Sequence, residues 1–505
     1  MNDSEKYQKL RETMRSIARL SAAAGLCGWD LEMINIRSAM PPAASDIRSE
    51  VIAELSAVIH ERATAPEVWD LIQELQSVAG RLSVREAANV RKLYRQVSRE
   101  RKLPPEFVRE LSELAASAHH TWSEARAKSD FALFRPKLER LVALKRREAS
   151  LVGDFAEPYD ALIDSFEPGM TCAQLDVVFA RLAASLPPLV ARIAGLTGRV
   201  RPGDVRVPMP VEHQRRFVAA LVAELGFEPA WGRIGESAHP FSNRLHPGDV
   251  GITVNYDPED ALLVVGSAVH ETGHSFYEAQ LPQEEWGMPL GEAVSMGVHE
   301  SQSRFWENVV GRSRPYIDHV RRLLAAHGPT GLDLPDSDAI WRGLNAVAPS
   351  LIRTEADEFT YCLHVVLRYE IERDLIGGRL EVSDVPAAWN SGMRRLLGVE
   401  VPDDARGCLQ DVHWSGGMFG YFPSYALGNL AAAQLTAKMS ETVDLDAAVR
   451  AGDFAQVRSW LREHVHAQTD VASLDELMVR VTGASLDPTH FQRYLEAKAR
   501  DLFGL

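Results

Sequence analysis

The run His270-Glu271-Thr272-Gly273-His274 sets two imidazoles four residues apart, with a carboxylate directly after the first. On an α-helix, positions i and i+4 share one face a turn apart, so both rings can reach one cation. Glu271 then projects beside them, where a carboxylate can take a proton from an attacking water. The chemistry implied is metal-assisted hydrolysis; a chance match, with both histidines satisfied inside a core, is the bland alternative. A catalytic zinc keeps three protein ligands and one open position, so a third ligand must come from another segment. Glu292, Glu300 and Glu307 are the candidates downstream. Helical periodicity puts Glu300 and Glu307 about two turns apart on one face, with Glu292 turned partly away. Spacing alone does not choose among them, and a structural glutamate paired with a cation such as Arg304 competes for each. The small neighbours Gly297 and Ser301 would let a helix carrying Glu300 approach the ion closely, which favours Glu300.

Such side chains need helices to aim them, and the chain reads as helical almost throughout. Asp257-Pro258-Glu259 is a helix-start signature, and Ala261, Leu262, Val265, Ala268 and Val269 form an apolar face leading into His270. Ser83 and Glu86 have capping-box spacing, after which Val90, Leu93, Tyr94 and Val97 mark one helical face. Pro104-Pro105 suit the first turn of another helix, whose stripe runs through Phe107, Leu111, Leu114, Ala118 and Trp122. Phe454, Val457, Leu461 and Val465 repeat the pattern near the C-terminus. One short strand is expected near residues 250–256, after the turn-like His246-Pro247-Gly248-Asp249. The expected fold class is all-α with that small β element. It forms one large helical body over residues 1–505, with a mobile N-terminal helical section over about residues 1–130.

Composition narrows the function classes. Acidic residues outnumber basic ones, 70 to 55, for a formal charge of −15, so nucleic acid is a poor partner. Basic stripes at Arg91–Lys102 and Lys137–Arg147 read as solvated faces of two amphipathic helices. The polar start of the chain has no apolar signal region, which argues against secretion. Ala261–Val269, read as the most apolar stretch, is far shorter than the ~20 residues a bilayer needs, so no membrane partner is expected. Cys27, Cys172, Cys362 and Cys408 lie far apart with no CxxC pair. They make no thiolate zinc site or disulfide framework, and fit a reducing cytoplasm.

Beyond HETGH, further motifs stand in order: His239-Pro240-Phe241, His299-Glu300-Ser301-Gln302 and Ile352-Arg353-Thr354-Glu355-Ala356-Asp357. Gly407-Cys408-Leu409-Gln410-Asp411-Val412-His413-Trp414 and Gly420-Tyr421-Phe422-Pro423 follow, with weaker echoes at Trp29-Asp30, Met40-Pro41-Pro42 and Leu486-Asp487-Pro488. Together they resemble the thermostable carboxypeptidase (Taq carboxypeptidase) family across nearly the whole chain. The resemblance implies a mostly helical fold with a deep groove, a homodimer, and metal-dependent removal of single residues from peptide C-termini. It maps the metal ligands onto His270, His274 and Glu300, with Glu271 as the base. Zinc is the expected metal, and cobalt an alternative. His413 and Tyr421, on a glycine-rich loop (Gly416, Gly417, Gly420), are candidates to stabilise the oxyanion. Arg353 is the candidate to grip a substrate carboxylate, against a salt bridge with Glu355 or Asp357, and His239 is a second substrate-binding candidate.

Two positions depart from the family pattern. Where Asp-x-Arg-x-Thr is usual, the chain reads Asp249-Val250-Gly251-Ile252-Thr253, so an arginine is missing; Arg244 is the nearest substitute in sequence. The usual Trp-Asp-Gln-Glu-Thr reads Trp29-Asp30-Leu31-Glu32-Met33. The lost arginine keeps an oligopeptidase or endopeptidase of the same class as a competing reading. A non-catalytic metal-binding scaffold is more remote.

Overall fold

The computed structural model describes residues 1–196 and 199–505. Helices dominate, and several begin where local chemistry requires. The Ser83 hydroxyl accepts from the Glu86 amide while the Glu86 carboxylate accepts from the Ser83 amide at 3.0 Å. The helix Val84–Arg101 follows, burying Val90, Leu93 and Val97, whereas Tyr94 stays exposed and stacks on Trp69 at 5.2 Å. Pro105 opens the helix Pro105–Lys128, with Phe107, Ala118 and Trp122 buried. The helix that carries His270 and His274 runs Leu263–Gln280, six residues later than Asp257 suggested. Asp257 and Asp260 instead build the preceding turn: Asp257 accepts from the Glu259 amide, and Asp260 from the amides of Val207 and Leu262.

Three short strands form one sheet, β1 (Gly232–Glu236), β2 (Ser242–His246) and β3 (Asp249–Val254), in the order β1-β3-β2. β3 is the strand expected from sequence. It pairs in parallel with β1, Arg233 opposite Gly251, and antiparallel with β2, Asn243 opposite Gly251. β1 and β2 carry Gly, Arg, Ser and Asn rather than alternating apolar residues; the ladder to β3 holds them, not a face of their own. The sheet packs against the helix Leu263–Gln280.

Two apolar cores are present. The larger runs from Ala118 to the C-terminal helix, and a smaller one joins Tyr7, Leu10, Leu71, Ile72, Leu75, Val90, Leu93 and Met288. None of the described side chains of the helix Pro42–Thr64 is buried. The N-terminal helix Asp3–Glu32 lies on the sheet through Trp29 and Met33. A Cβ on Gly251 would stand 2.4 Å from the Trp29 ring, and one on Gly235 2.2 Å from the Met33 methyl.

Two sequence expectations change. The helix Cys172–Ala194, not Ala261–Val269, is apolar and long enough by composition to cross a membrane, yet Leu175, Phe179, Leu182, Leu186 and Ile193 face the main core. The basic stripes are not purely solvated: Lys145 is buried against Glu148, and Lys92 is half-buried, donating to the Thr469 carbonyl.

Candidate metal centre

Glycines let three helices close on one point. A Cβ on Gly273 would lie 2.7 Å from the Gln302 carbonyl oxygen, so its absence lets the helix Met296–Arg304 touch the helix Leu263–Gln280. A Cβ on Gly428, in the helix Phe422–Met439, would stand 2.5 Å from Glu300 Cγ. Glu300 is thereby held between its neighbours. Ser295 caps its helix, and the buried Glu167 carboxylate accepts from the Gly297 amide and the Ser424 hydroxyl, tying two of the helix starts together.

The side chains of His270, His274 and Glu300 each offer one ligand atom, and these atoms lie within 4.8 Å of one another. Glu300 Oε1 accepts from Arg304 Nε at 2.6 Å, while Oε2 faces His274 Nε2 at 3.7 Å. Glu307 is not in the donor cluster; it bonds His270 Nδ1 at 2.8 Å, which leaves Nε2 of that ring for a cation. Arg304 and Arg312 in turn hold Glu307, at 3.1 and 2.9 Å. The expected α-helical spacing between Glu300 and Glu307 breaks because the helix widens to π over Phe305–Gly311. Glu292 pairs with Arg244 instead.

His274 is oriented differently. Its Nδ1 is buried without a hydrogen-bond partner, and its ring stacks on His299, centroids 4.2 Å apart. His299 Nε2 bonds Glu278 at 2.8 Å, and Glu278 pairs with Arg244. Burial keeps His274 well below the ordinary histidine pKa, hence neutral, as a ligand must be. Two imidazoles and the carboxylate oxygen that Arg304 leaves free, clustered within 4.8 Å, are a donor set that suits a divalent cation. Burial also lifts Glu271 to about 7, above an ordinary carboxylate.

A second cluster forms around Arg353. Its Nε and Nη2 donate to Asp411 Oδ1 at 3.0 and 2.8 Å, and Nη1 donates to the Tyr361 hydroxyl. The salt-bridge partner is therefore Asp411, not Glu355 or Asp357, and Arg368 shares it through the other oxygen. Three of the five N–H groups of Arg353 are committed in this way. His413 bonds the Tyr425 hydroxyl at 3.2 Å and stands 5.6 Å from Tyr421 between ring centroids. Burial holds His413 down at about 4 and pushes Tyr421 up to about 12, so both are neutral near pH 7. Their loop is pinned by the buried Glu372, which accepts from Trp414 Nε1 and the Gly420 amide. His239 stands exposed between β1 and β2; its ring makes no hydrogen bond among the described residues. Arg244 is fully engaged by Glu278, Glu292 and the Gly291 carbonyl.

Sequence reasoning missed Glu278 and Tyr425. Both carried a usable signal, since each lies four residues after a singled-out residue on its own helical face, His274 and Tyr421.

Known proteins resemble the chain over its whole length. The curated thermostable carboxypeptidase 1 of Thermus thermophilus is 38% identical over 521 aligned positions, covering all of both chains. Carboxypeptidase 1 of Bacillus subtilis is 35% identical, covering 98% of each chain. A solved structure of the Pyrococcus furiosus carboxypeptidase superposes with a TM-score of 0.94 at 34% identity, over 99% of both chains. The M32 carboxypeptidase from Deinococcus radiodurans gives 0.92 at 34% identity, over 99% of this chain and all of that one. Residues 9–499 match the family described as carboxypeptidase Taq (M32) metallopeptidase, and the chain belongs to it.

Proposed function

We propose that this metallocarboxypeptidase releases single residues from peptide C-termini, with His270, His274 and Glu300 holding zinc and Glu271 acting as general base. The observation that carries the reading is the convergence of those three ligand atoms beside the buried Glu271 carboxylate. A divalent cation bound there supplies Lewis acidity, polarising the scissile carbonyl and acidifying the attacking water; cobalt could serve in place of zinc. The Glu271 carboxylate takes the proton from that water and later delivers it to the leaving amine, a role typically worth roughly 10²–10⁴-fold. Neutral His413 and Tyr421 donate to the developing oxyanion, and the pinned loop fixes them beforehand. The uncommitted N–H groups of Arg353 grip the substrate carboxylate, and exposed His239 meets the incoming peptide. Glu307, through His270 Nδ1, fixes the tautomer of that ring.

A homodimer and a cytoplasmic location complete the proposal. The family resemblance supports the first, and four free cysteines the second. An oligopeptidase reading draws support from one feature, Gly251 in place of the arginine that the family resemblance implies. Mass spectrometry of one peptide, free and amidated at its C-terminus, separates the two readings. Single-residue release from the free form alone, lost on chelation and restored by zinc, is expected. Internal cleavage of both forms would reject exopeptidase action.

A further inference from the structure

Residues 164–171 fold into a tight corner between the helices Pro158–Ile163 and Cys172–Ala194. The amides of Phe166 and Glu167 donate to the Ile163 carbonyl at 2.9 and 2.8 Å, and the Met170 amide donates to that of Glu167 at 3.0 Å. Asp164 fastens the outer side, accepting from the Gly169 amide at 2.9 Å and pairing with Arg95 at 2.6 Å. The corner is therefore held by bonds of its own, and its inner side meets two functional candidates.

Glu167 is 1% exposed. Its Oε1 accepts from the Gly297 amide, in the first turn of the helix Met296–Arg304. The same oxygen accepts from the Ser424 hydroxyl at 2.6 Å, in the first turn of the helix Phe422–Met439. A buried carboxylate ordinarily takes a cation, yet no Lys, Arg or His nitrogen lies within 4.0 Å of this one among the described residues. Two helix N-termini hold it instead, where backbone dipoles favour negative charge. One helical turn separates each contact from the Glu300 carboxylate. Glu300 lies three residues beyond Gly297, and Gly428, whose missing side chain admits Glu300 Cγ, lies four beyond Ser424. The grip of Glu167 on the two helix starts thus sets the gap in which Glu300 sits.

Phe166 reaches the other candidate. Its carbonyl accepts from the Met296 amide at 3.2 Å, and its ring meets Tyr421 edge-on with centroids 5.1 Å apart. Gly420 closes on the helix just before the corner, since a Cβ there would stand 2.5 Å from the Leu162 carbonyl carbon. Tyr421 directly precedes the helix Phe422–Met439, so it moves with Ser424.

We propose that Glu167, backed by Phe166, is a positioning residue for hydrolysis that fixes Glu300 and Tyr421 relative to one another. The assignment rests on the carboxypeptidase reading, which makes Glu300 a zinc ligand and Tyr421 an oxyanion donor. Glu167 acts through the two helix starts and not on the reacting atoms. Misplacing groups that share one transition state by ~1 Å can cost about 100-fold in rate, so the leverage of such a corner is large.

The test uses the full-length protein, with Tm recorded for every variant and all rates taken well below it at saturating zinc. Zinc affinity is read by chelator competition, and kcat and KM on one peptide with a free C-terminus. Glu167→Ala should bind zinc about ten-fold more weakly and lose about ten-fold in kcat, with KM within about two-fold of the parent. Glu167→Gln should recover both to within about three-fold, since its amide oxygen still accepts from Gly297 and Ser424. Phe166→Leu should lower kcat while leaving zinc affinity unchanged, because the backbone bond to Met296 survives. Tyr421→Phe combined with Glu167→Ala should lose clearly less than the product of the single losses, since a misplaced phenol has little left to lose. Parent zinc affinity and kcat in Glu167→Ala, whatever its Tm, would overturn the assignment, and so would losses that simply multiply in the double variant. Ser424→Ala, expected to weaken zinc about three-fold, carries the test if Glu167→Ala does not fold. Parent behaviour in both Ser424→Ala and Phe166→Leu would then reject the role. Hydrolysis absent from the parent counts against the carboxypeptidase reading alone, because zinc retention still reports on the hold of Glu167 over the helix of Glu300.

Discussion

Glu300 and Glu307 share one chemistry and differ in what their oxygens face. Glu300 keeps Oε2 toward His274 while Arg304 holds Oε1, whereas Glu307 is spent on His270 Nδ1, Arg304 and Arg312. Burial opposes ionisation of Glu307, but the two arginines and His270 together hold its carboxyl well below the usual range. Glu300→Gln should therefore abolish metal retention, read by metal analysis after dialysis. Glu307→Gln should retain the metal with affinity weakened roughly 10–100-fold, read by chelator competition. Equal loss in both variants would mean that Glu307 is itself a ligand. Glu271→Gln should stop turnover while metal content stays at one per chain, and turnover surviving near the parent rate would remove Glu271 as base. Arg353 is more constrained. Removing it leaves Asp411 buried beside Arg368 alone, and breaking a buried pair typically costs about 3–5 kcal/mol. Arg353→Ala should lower Tm and also raise KM for free C-termini more than for amidated ones. A fall in Tm with equal KM effects would leave the residue purely structural. None of this division of labour was legible from spacing. A regular 3.6-residue projection fails where the backbone widens at Phe305, and nothing in Phe305–Gly311 announces a π turn.

At the scale of elements, the approach of helices is decided by absent side chains. Gly428 touches Glu300 from one side, and Gly273 admits the backbone of Gln302 and Ser303 from the other. Gly428→Ala would force a methyl group to within 2.5 Å of Glu300 Cγ, and overpacking of this kind costs typically 1–3 kcal/mol. The expected result is a lower Tm together with weaker metal binding, because the displaced group is the carboxylate itself. A lower Tm with unchanged metal affinity would show the helix yielding elsewhere. Helix starts were legible wherever the cap is local, as at Ser83 and Pro105. The start of the helix Leu263–Gln280 was not, because Asp260 caps a turn shared with Val207, 53 residues earlier. β1 and β2 were hidden for a related reason: their stability comes from pairing with β3, which no pattern within either strand records.

At the scale of the whole molecule, the N-terminal helix and the sheet meet at the position that sequence marks as a loss. Gly251 reads as a missing guanidinium, and Arg244 was the nearest replacement. The structure commits Arg244 to two glutamates and fills the space over Gly251 with the Trp29 ring. Arg233, opposite Gly251 across the ladder, stands 4.8 Å over that same ring and pairs with Asp249. Trp29 also meets Phe241 edge-on at 5.5 Å. The glycine thus serves as a seat for the arm, and restoring the arginine should not restore a function. Gly251→Arg should push Trp29 out, lower Tm by an amount equivalent to about 1–3 kcal/mol, and expose the segment 25–45 to limited proteolysis. Trp29→Ala in the same chain should recover part of that stability, since the side chains no longer compete for one space, giving a non-additive pair. If Gly251→Arg alone kept its Tm and raised kcat/KM on free C-termini, the arginine would be a lost substrate contact, and the indole a bystander in the gap it left.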